Sequence, residues 1–220
     1  MKHFLLFLLI PLFLSSCIEI IDDLSLNQDG SGTFKYTINL SASKVKVNSI
    51  LALDSFNGVK VPSLLEVDNK IIEFRELLKK EKGIKGVLTE FNSTDFIVKL
   101  SIEFNSIEEL QNGIKSVILQ LSPQNPNIEV GTWIVWNGNQ LERVIPSIVA
   151  QRIKENNETD NELLKTGTYT CISRFQKPIA ETSHPQCKLN PSKTVAMLRI
   201  NTLDIKLNPS LLEHTLTLLP

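Results

Sequence analysis

Between Phe96 and Phe104 the chain alternates with a period of two: Phe96, Val98, Leu100, Ile102 and Phe104 fall against Ile97, Lys99, Ser101 and Glu103. Successive side chains of a strand point to opposite faces, so the pattern demands a sheet with one face on a core. Sheets wetted on the other face are antiparallel as a rule. Gly86 to Phe91 supplies the partner strand through a turn at Asn92-Ser93-Thr94. A second hairpin is formed by Ile18 to Asn27 and by Phe34, Tyr36, Ile38 and Leu40, which alternate with Thr33, Lys35, Thr37 and Asn39. In its first strand Asp22 interrupts an apolar face made of Ile18, Ile20, Leu24 and Leu26. A third joins Gly131 to Trp136 with Gln140 to Ile145. Asp29-Gly30 and Asn137-Gly138 mark two of the turns, because glycine takes positive φ without steric cost.

Helical spacing separates the hairpins. Lys44 to Leu53 reads as a helix, Asn57 to Pro62 as a loop, and Asp68 as the N-cap of a helix that carries Ile71, Phe74 and Leu78. Lys79 to Lys82 suit its C-terminal dipole, and Gly83 stops it. Ser106 with Glu109 predicts a capping box, followed by the stripe Leu110, Ile114, Val117, Ile118 and Leu121. The expected class is therefore α+β, an antiparallel sheet built from hairpins with helices packed on one face. Ile148 to Lys154 reads as a short helix and Glu155 to Glu162 as a polar loop. Thr168 to Phe175 and Val195 to Ile200 read as late strands, with Pro178 to Pro191 looping between them. Leu211, Leu212, Leu216, Leu218 and Leu219 are expected to dock on the core.

The first residues carry an address. Lys2 and His3 precede an apolar run from Phe4 to Leu14 that is interrupted by Pro11, too short to cross a bilayer. Leu14-Ser15-Ser16-Cys17 resembles the lipobox of bacterial lipoproteins. The resemblance implies a signal peptide over 1–16, a lipidated Cys17 as mature N-terminus, and firm attachment by two or more chains. The expected organisation is a tether over 17–23 and one α+β domain over 24–220, subdivided at most near 122–130, where Ser122 to Asn127 forms a linker. Ile18 after the cysteine weighs toward the outer membrane facing the periplasm, while Glu19, Asp22 and Asp23 resemble cell-surface signals. A strand, Asp-Gly-Ser-Gly and a second strand directly behind the lipid cysteine also resemble a loose group of envelope lipoproteins that includes LppM-like lipoproteins. Tyr169 to Phe175 and Thr194 to Ile200 resemble that group's late strands. What this resemblance implies is a non-enzymatic, membrane-tethered role.

Without residues 1–16 the chain keeps 22 Lys plus Arg against 24 Asp plus Glu, since only Lys2 is lost from the 23 cations. Lys79, Lys80, Lys82 and Lys85 are interspersed with Glu76 and Glu81, which does not make a nucleic-acid surface. Cys171 and Cys187 remain as a pair in an oxidising compartment, where a disulfide is expected and would contribute about 3 kcal/mol in the chain-entropy model. With His184 they offer three zinc ligands, but no fourth lies nearby. Asn27 to Gly32 resembles the middle of a calcium loop, yet Ser25 and Tyr36 would take the end positions, where carboxylates belong. No cofactor or metal is expected. Outside the signal peptide the histidines are His184 and His214, neither in a catalytic motif, and no catalytic residue is assigned.

Three functions follow. The first is a lipid-anchored binding or assembly factor with an envelope protein partner, whose contact surface includes Trp133 or Trp136 if their strand is not buried on both faces. The second is a module for a lipid or other amphiphile, which requires a hydrophobic cavity. The third is an envelope hydrolase, which requires convergent titratable groups.

Overall fold

The computed structural model describes residues 18–56, 58–122, 131–155 and 164–220. In chain order the elements are β1 (Glu19–Leu26), β2 (Gly32–Asn39), α1 (Lys44–Leu51), β3 (Ser55–Phe56), β4 (Val59–Lys60), α2 (Leu64–Leu78), β5 (Ile84–Asn92), β6 (Ile97–Phe104) and α3 (Ile107–Leu121). They continue with β7 (Ile134–Trp136), β8 (Gln140–Arg143), α4 (Ser147–Glu155), β9 (Thr168–Phe175), β10 (Ile179–Thr182), β11 (Lys188–Leu189), β12 (Val195–Asn201), α5 (Thr202–Leu207) and β13 (His214–Leu218). The expected α+β class is what the chain adopts.

Seven strands form one sheet in the order β11-β12-β9-β1-β2-β6-β5, and four form a second, β10-β13-β8-β7. The β1–β9 pair is parallel; its neighbours on both sides are antiparallel. In register, Leu24 lies opposite Phe34, and Phe34 opposite Ile102, which in turn faces Val87. All four are buried, so they mark the inner face of the large sheet. One part of that face is covered by Leu78 of α2 with Leu110 and Val117 of α3, the other by Leu141 and Leu216 of the second sheet, and together they form one continuous cluster. A smaller cluster gathers Leu198 and Ile200 with Ile205 of α5 and Leu212.

Several local expectations are corrected. α2 starts before Asp68: the Ser63 hydroxyl accepts from Glu66 N at 3.2 Å, and the Glu66 carboxylate accepts from Ser63 N at 2.7 Å. A reciprocal box satisfies two orphan amides and outcompetes a single Asp. Ser106 caps α3 by accepting from Glu109 N, while the Glu109 carboxylate reaches Lys82 at 3.7 Å. The stretch read as a loop over 57–62 holds β4, and the one over 178–191 holds β10 and β11. Residues assigned to a tether belong to β1 from Glu19 onward. In the apolar tail Leu212, Leu216 and Leu218 are buried, whereas Leu219 is exposed. The expected linker beyond Ser122 and the acidic loop beyond Glu155 lie outside the described residues.

Candidate functional site

α2 does not contact the sheet evenly along its length. At its C-terminal end Leu78 is fully buried, pressed against α3 where Gly113 leaves room: a Cβ there would lie 3.3 Å from the Leu78 side chain. Toward its N-terminus Val67, Ile71 and Phe74 are only half-buried. Between them and the inner-face residues Thr89, Val98 and Leu100, with Leu121 at the end of α3, lies a pocket of about 670 Å³. That volume is in the range of pockets that take small organic ligands.

The walls are hydrocarbon, and Thr89 adds one hydroxyl. Charge is confined to the rim, where Lys60 and Lys70 pair with Glu66 and Glu73 at 3.1 and 2.8 Å, while the side chains of Lys99 and Glu90 pair on the other face of the sheet. Hydrogen bonds from Ser63 and Lys60 hold the Glu66 carboxyl down at about 2, so it stays ionised. An apolar body with a polar rim can house an acyl or other hydrocarbon chain and keep a head group in water.

A second cluster is charged and deeply buried. Arg143 of β8 donates to both Asp22 oxygens, at 3.0 and 3.2 Å, and the Tyr169 hydroxyl donates to the same carboxylate at 3.1 Å. Asp22 and Arg143 are buried, and the pair ties β1 of the large sheet to β8 of the small one. Burial is the largest influence on Arg143 and would lower its pKa, but the charge and hydrogen bond of Asp22, with Cys171 and Tyr169, together outweigh it and raise it. Burial pushes the Cys171 thiol up to about 12 against the opposing charge of Arg143, and burial together with Asp22 raises the phenols of Tyr36, to about 12, and Tyr169. The adjoining pocket is about 50 Å³, room for little more than about one or two water molecules. It is a joint between sheets rather than a ligand site.

Cys17, the expected lipidation site, lies outside the described residues. Cys171 and Cys187 are both free thiols, contrary to the expected bond. β12 lies between β9, which carries Cys171, and β11, which begins directly after Cys187. Two interstrand steps amount to about 10 Å, beyond the roughly 7 Å that a disulfide spans between Cα atoms. Trp133 and Trp136 are half-buried against the main core, with Trp136 stacked on Phe175 at 6.1 Å. β7 is an edge strand, and its open side is occupied by the Gln111 side chain of α3. Gln111 Oε1 accepts from Trp133 N and Ile134 N, and its Nε2 donates to Ile134 O. Helical spacing put Ile71 and Phe74 on one face of α2 without signalling a pocket, and no sequence pattern singled out Arg143. The readable signal for the buried joint was Asp22, a charge in the apolar register of a strand.

No family model and no curated protein matches this chain. Among solved structures it is similar to the folded domain of the Mycobacterium tuberculosis LppM protein, determined by NMR. The TM-score is 0.41 at 8% sequence identity, over 94% of this chain and 91% of that one.

Proposed function

We propose that this protein is a lipid-anchored envelope protein, held by Cys17 at the outer membrane facing the periplasm, that binds an amphiphile in the pocket between α2 and the sheet. The observation that carries the reading is the pocket of about 670 Å³, apolar inside and charged only at its rim. A protein-partner role would have used Trp133 and Trp136, but both pack inward, which moves the weight to the pocket. Retention of an apolar chain follows from desolvation, at about 0.8 kcal/mol for each methylene buried.

The test is titration of the purified mature protein with a fluorescent long-chain fatty acid, beside a Val98→Trp variant that fills the pocket. Saturable binding by the natural chain and its loss in the variant, with an unchanged circular dichroism spectrum, is the expected result. Equal binding by both proteins, or none by the natural one, refutes the pocket. The anchor is tested separately, by the mass of the Cys17 peptide and by release of a Cys17→Ser variant from membranes.

A further inference from the structure

Several of the exposed apolar side chains share one end of the molecule. Val45 on α1, Leu53 just after it, Val59 on β4 and Leu65 in the first turn of α2 are 83%, 49%, 69% and 68% exposed. α1 has no buried residue at all, although Val45, Val47, Ile50 and Leu51 make up half of it. The connections fix where this patch lies. β2 ends at Asn39, and α1 is held beside that end by the Lys44–Asp95 ion pair at 3.2 Å and by the Leu40 N to Phe96 O hydrogen bond at 3.1 Å. β5 starts from the far end of α2 and finishes at Asn92, next to Asp95, so the first turn of α2 returns to the same side. β1 begins there too, because Glu19 lies opposite Asn39 and hydrogen-bonds to its side chain at 3.3 Å.

We infer that this end of the protein rests on the lipid bilayer, with Val45, Leu53, Val59 and Leu65 entering the boundary between head groups and acyl chains. The inference rests on the proposed anchor at Cys17 and extends it. Cys17 is two residues before Glu19, a reach of about 7 Å, so the attachment keeps the start of β1 and this end of the molecule next to the membrane. A patch of this kind needs a cover, and the bilayer next to the anchor offers one where head groups meet acyl chains. Lys44 and Lys60 direct their charge to Asp95 and Glu66, which leaves Lys46 on α1 to face the head groups beside the apolar side chains. Lys60, Pro62 and Glu66 line the pocket mouth and are close neighbours in sequence of Val59 and Leu65, which places that mouth at the bilayer. An amphiphile then passes between membrane and pocket without crossing water.

The experiment uses the mature lipoprotein in phosphatidylcholine vesicles. An environment-sensitive dye is attached in turn to Val45→Cys, Val59→Cys, Leu65→Cys and Leu88→Cys, in a Cys187→Ser background where Cys171 is buried. Leu88, 74% exposed on β5, is the equally apolar position outside the patch. The expected result is a blue shift at positions 45, 59 and 65, with quenching by lipids brominated along the acyl chain and neither effect at 88. Absence of quenching at those three positions in protein whose mass shows a lipidated Cys17 overturns the inference and leaves the anchor standing. A blue shift that appears without vesicles and grows with protein concentration also overturns it, since a second copy then covers the patch. An unmodified Cys17 mass sinks the anchor. The unlipidated protein is then added to the same vesicles, where quenching at the three positions supports the surface and its absence overturns it.

Discussion

His214 makes the fold sensitive to mild acid. It lies in β13 opposite Arg143, is 4% exposed, and holds its Nδ1 at 2.9 Å from the Leu212 carbonyl, an arrangement that fits the neutral ring donating from Nδ1. Burial pushes its pKa down to about 4; the hydrogen bond to Leu212 opposes this, and the charge of Arg143 adds to it. An unfolded histidine titrates near about 6.5, so on acidification the unfolded chain takes up a proton before the folded one can. Stability from this group is therefore complete above the unfolded value and is lost as pH falls from there toward the folded one. Linkage over those two values gives a loss of about 2 kcal/mol between about pH 8 and pH 5. Urea unfolding followed by the fluorescence of Trp133 and Trp136 reads the loss as a falling midpoint at constant slope. A His214→Gln variant should show most of this dependence removed. A midpoint that stays level over the range in the natural protein, or an equal fall in the variant, refutes the reasoning.

Removing one side of the buried joint should be worse than removing both. Arg143→Met leaves the buried Asp22 carboxyl without its cation and with only the Tyr169 hydroxyl, for an expected loss of about 3–5 kcal/mol in chemical denaturation, and adding Asp22→Leu should restore much of it. Gln111→Ala strips three hydrogen bonds from the edge of β7, and amide exchange at Trp133 and Ile134 should accelerate while the core strands β1 and β2 keep their protection. Gly32→Ala would drive a Cβ into the Ser25 carbonyl and to 2.9 Å from the Phe104 ring, with an expected loss of about 1–3 kcal/mol in thermal or urea unfolding.

What could be read ahead was local. Alternation placed β1, β2, β5 and β6 because each strand has one wet face, and helical spacing placed α3 because Leu110 and Val117 recur on one side. Ser63 was hidden by a rival: Asp68 also looked like a cap, and only the reciprocal partner Glu66 decides between them. The strands within 178–191 are short and lean on β12 and β13 rather than on any pattern of their own. The pocket was illegible for a different reason. Val67, Ile71 and Phe74 look the same in sequence whether their helix lies flat on a sheet or diverges from it, and the divergence is set by how closely Leu78 meets Gly113. Asp22 announced that something unusual happens in β1, but its partner lies 121 residues away, which no local pattern spans.

The placement of β1 sets a constraint on how the chain can be made. It is an interior strand, flanked by β2, which follows it at once, and by β9, whose Thr168 pairs with Glu19 only after most of the polypeptide has appeared. During synthesis the first hairpin must therefore wait with a row of unpaired amides and carbonyls on one side, a template for any stray strand. Closing that gap late is slow, because the long intervening loop must lose its freedom before the parallel ladder repays it. A chain cut anywhere before Phe175 retains the bare edge permanently, so shortened forms of this protein should aggregate or be degraded rather than survive as smaller folded units.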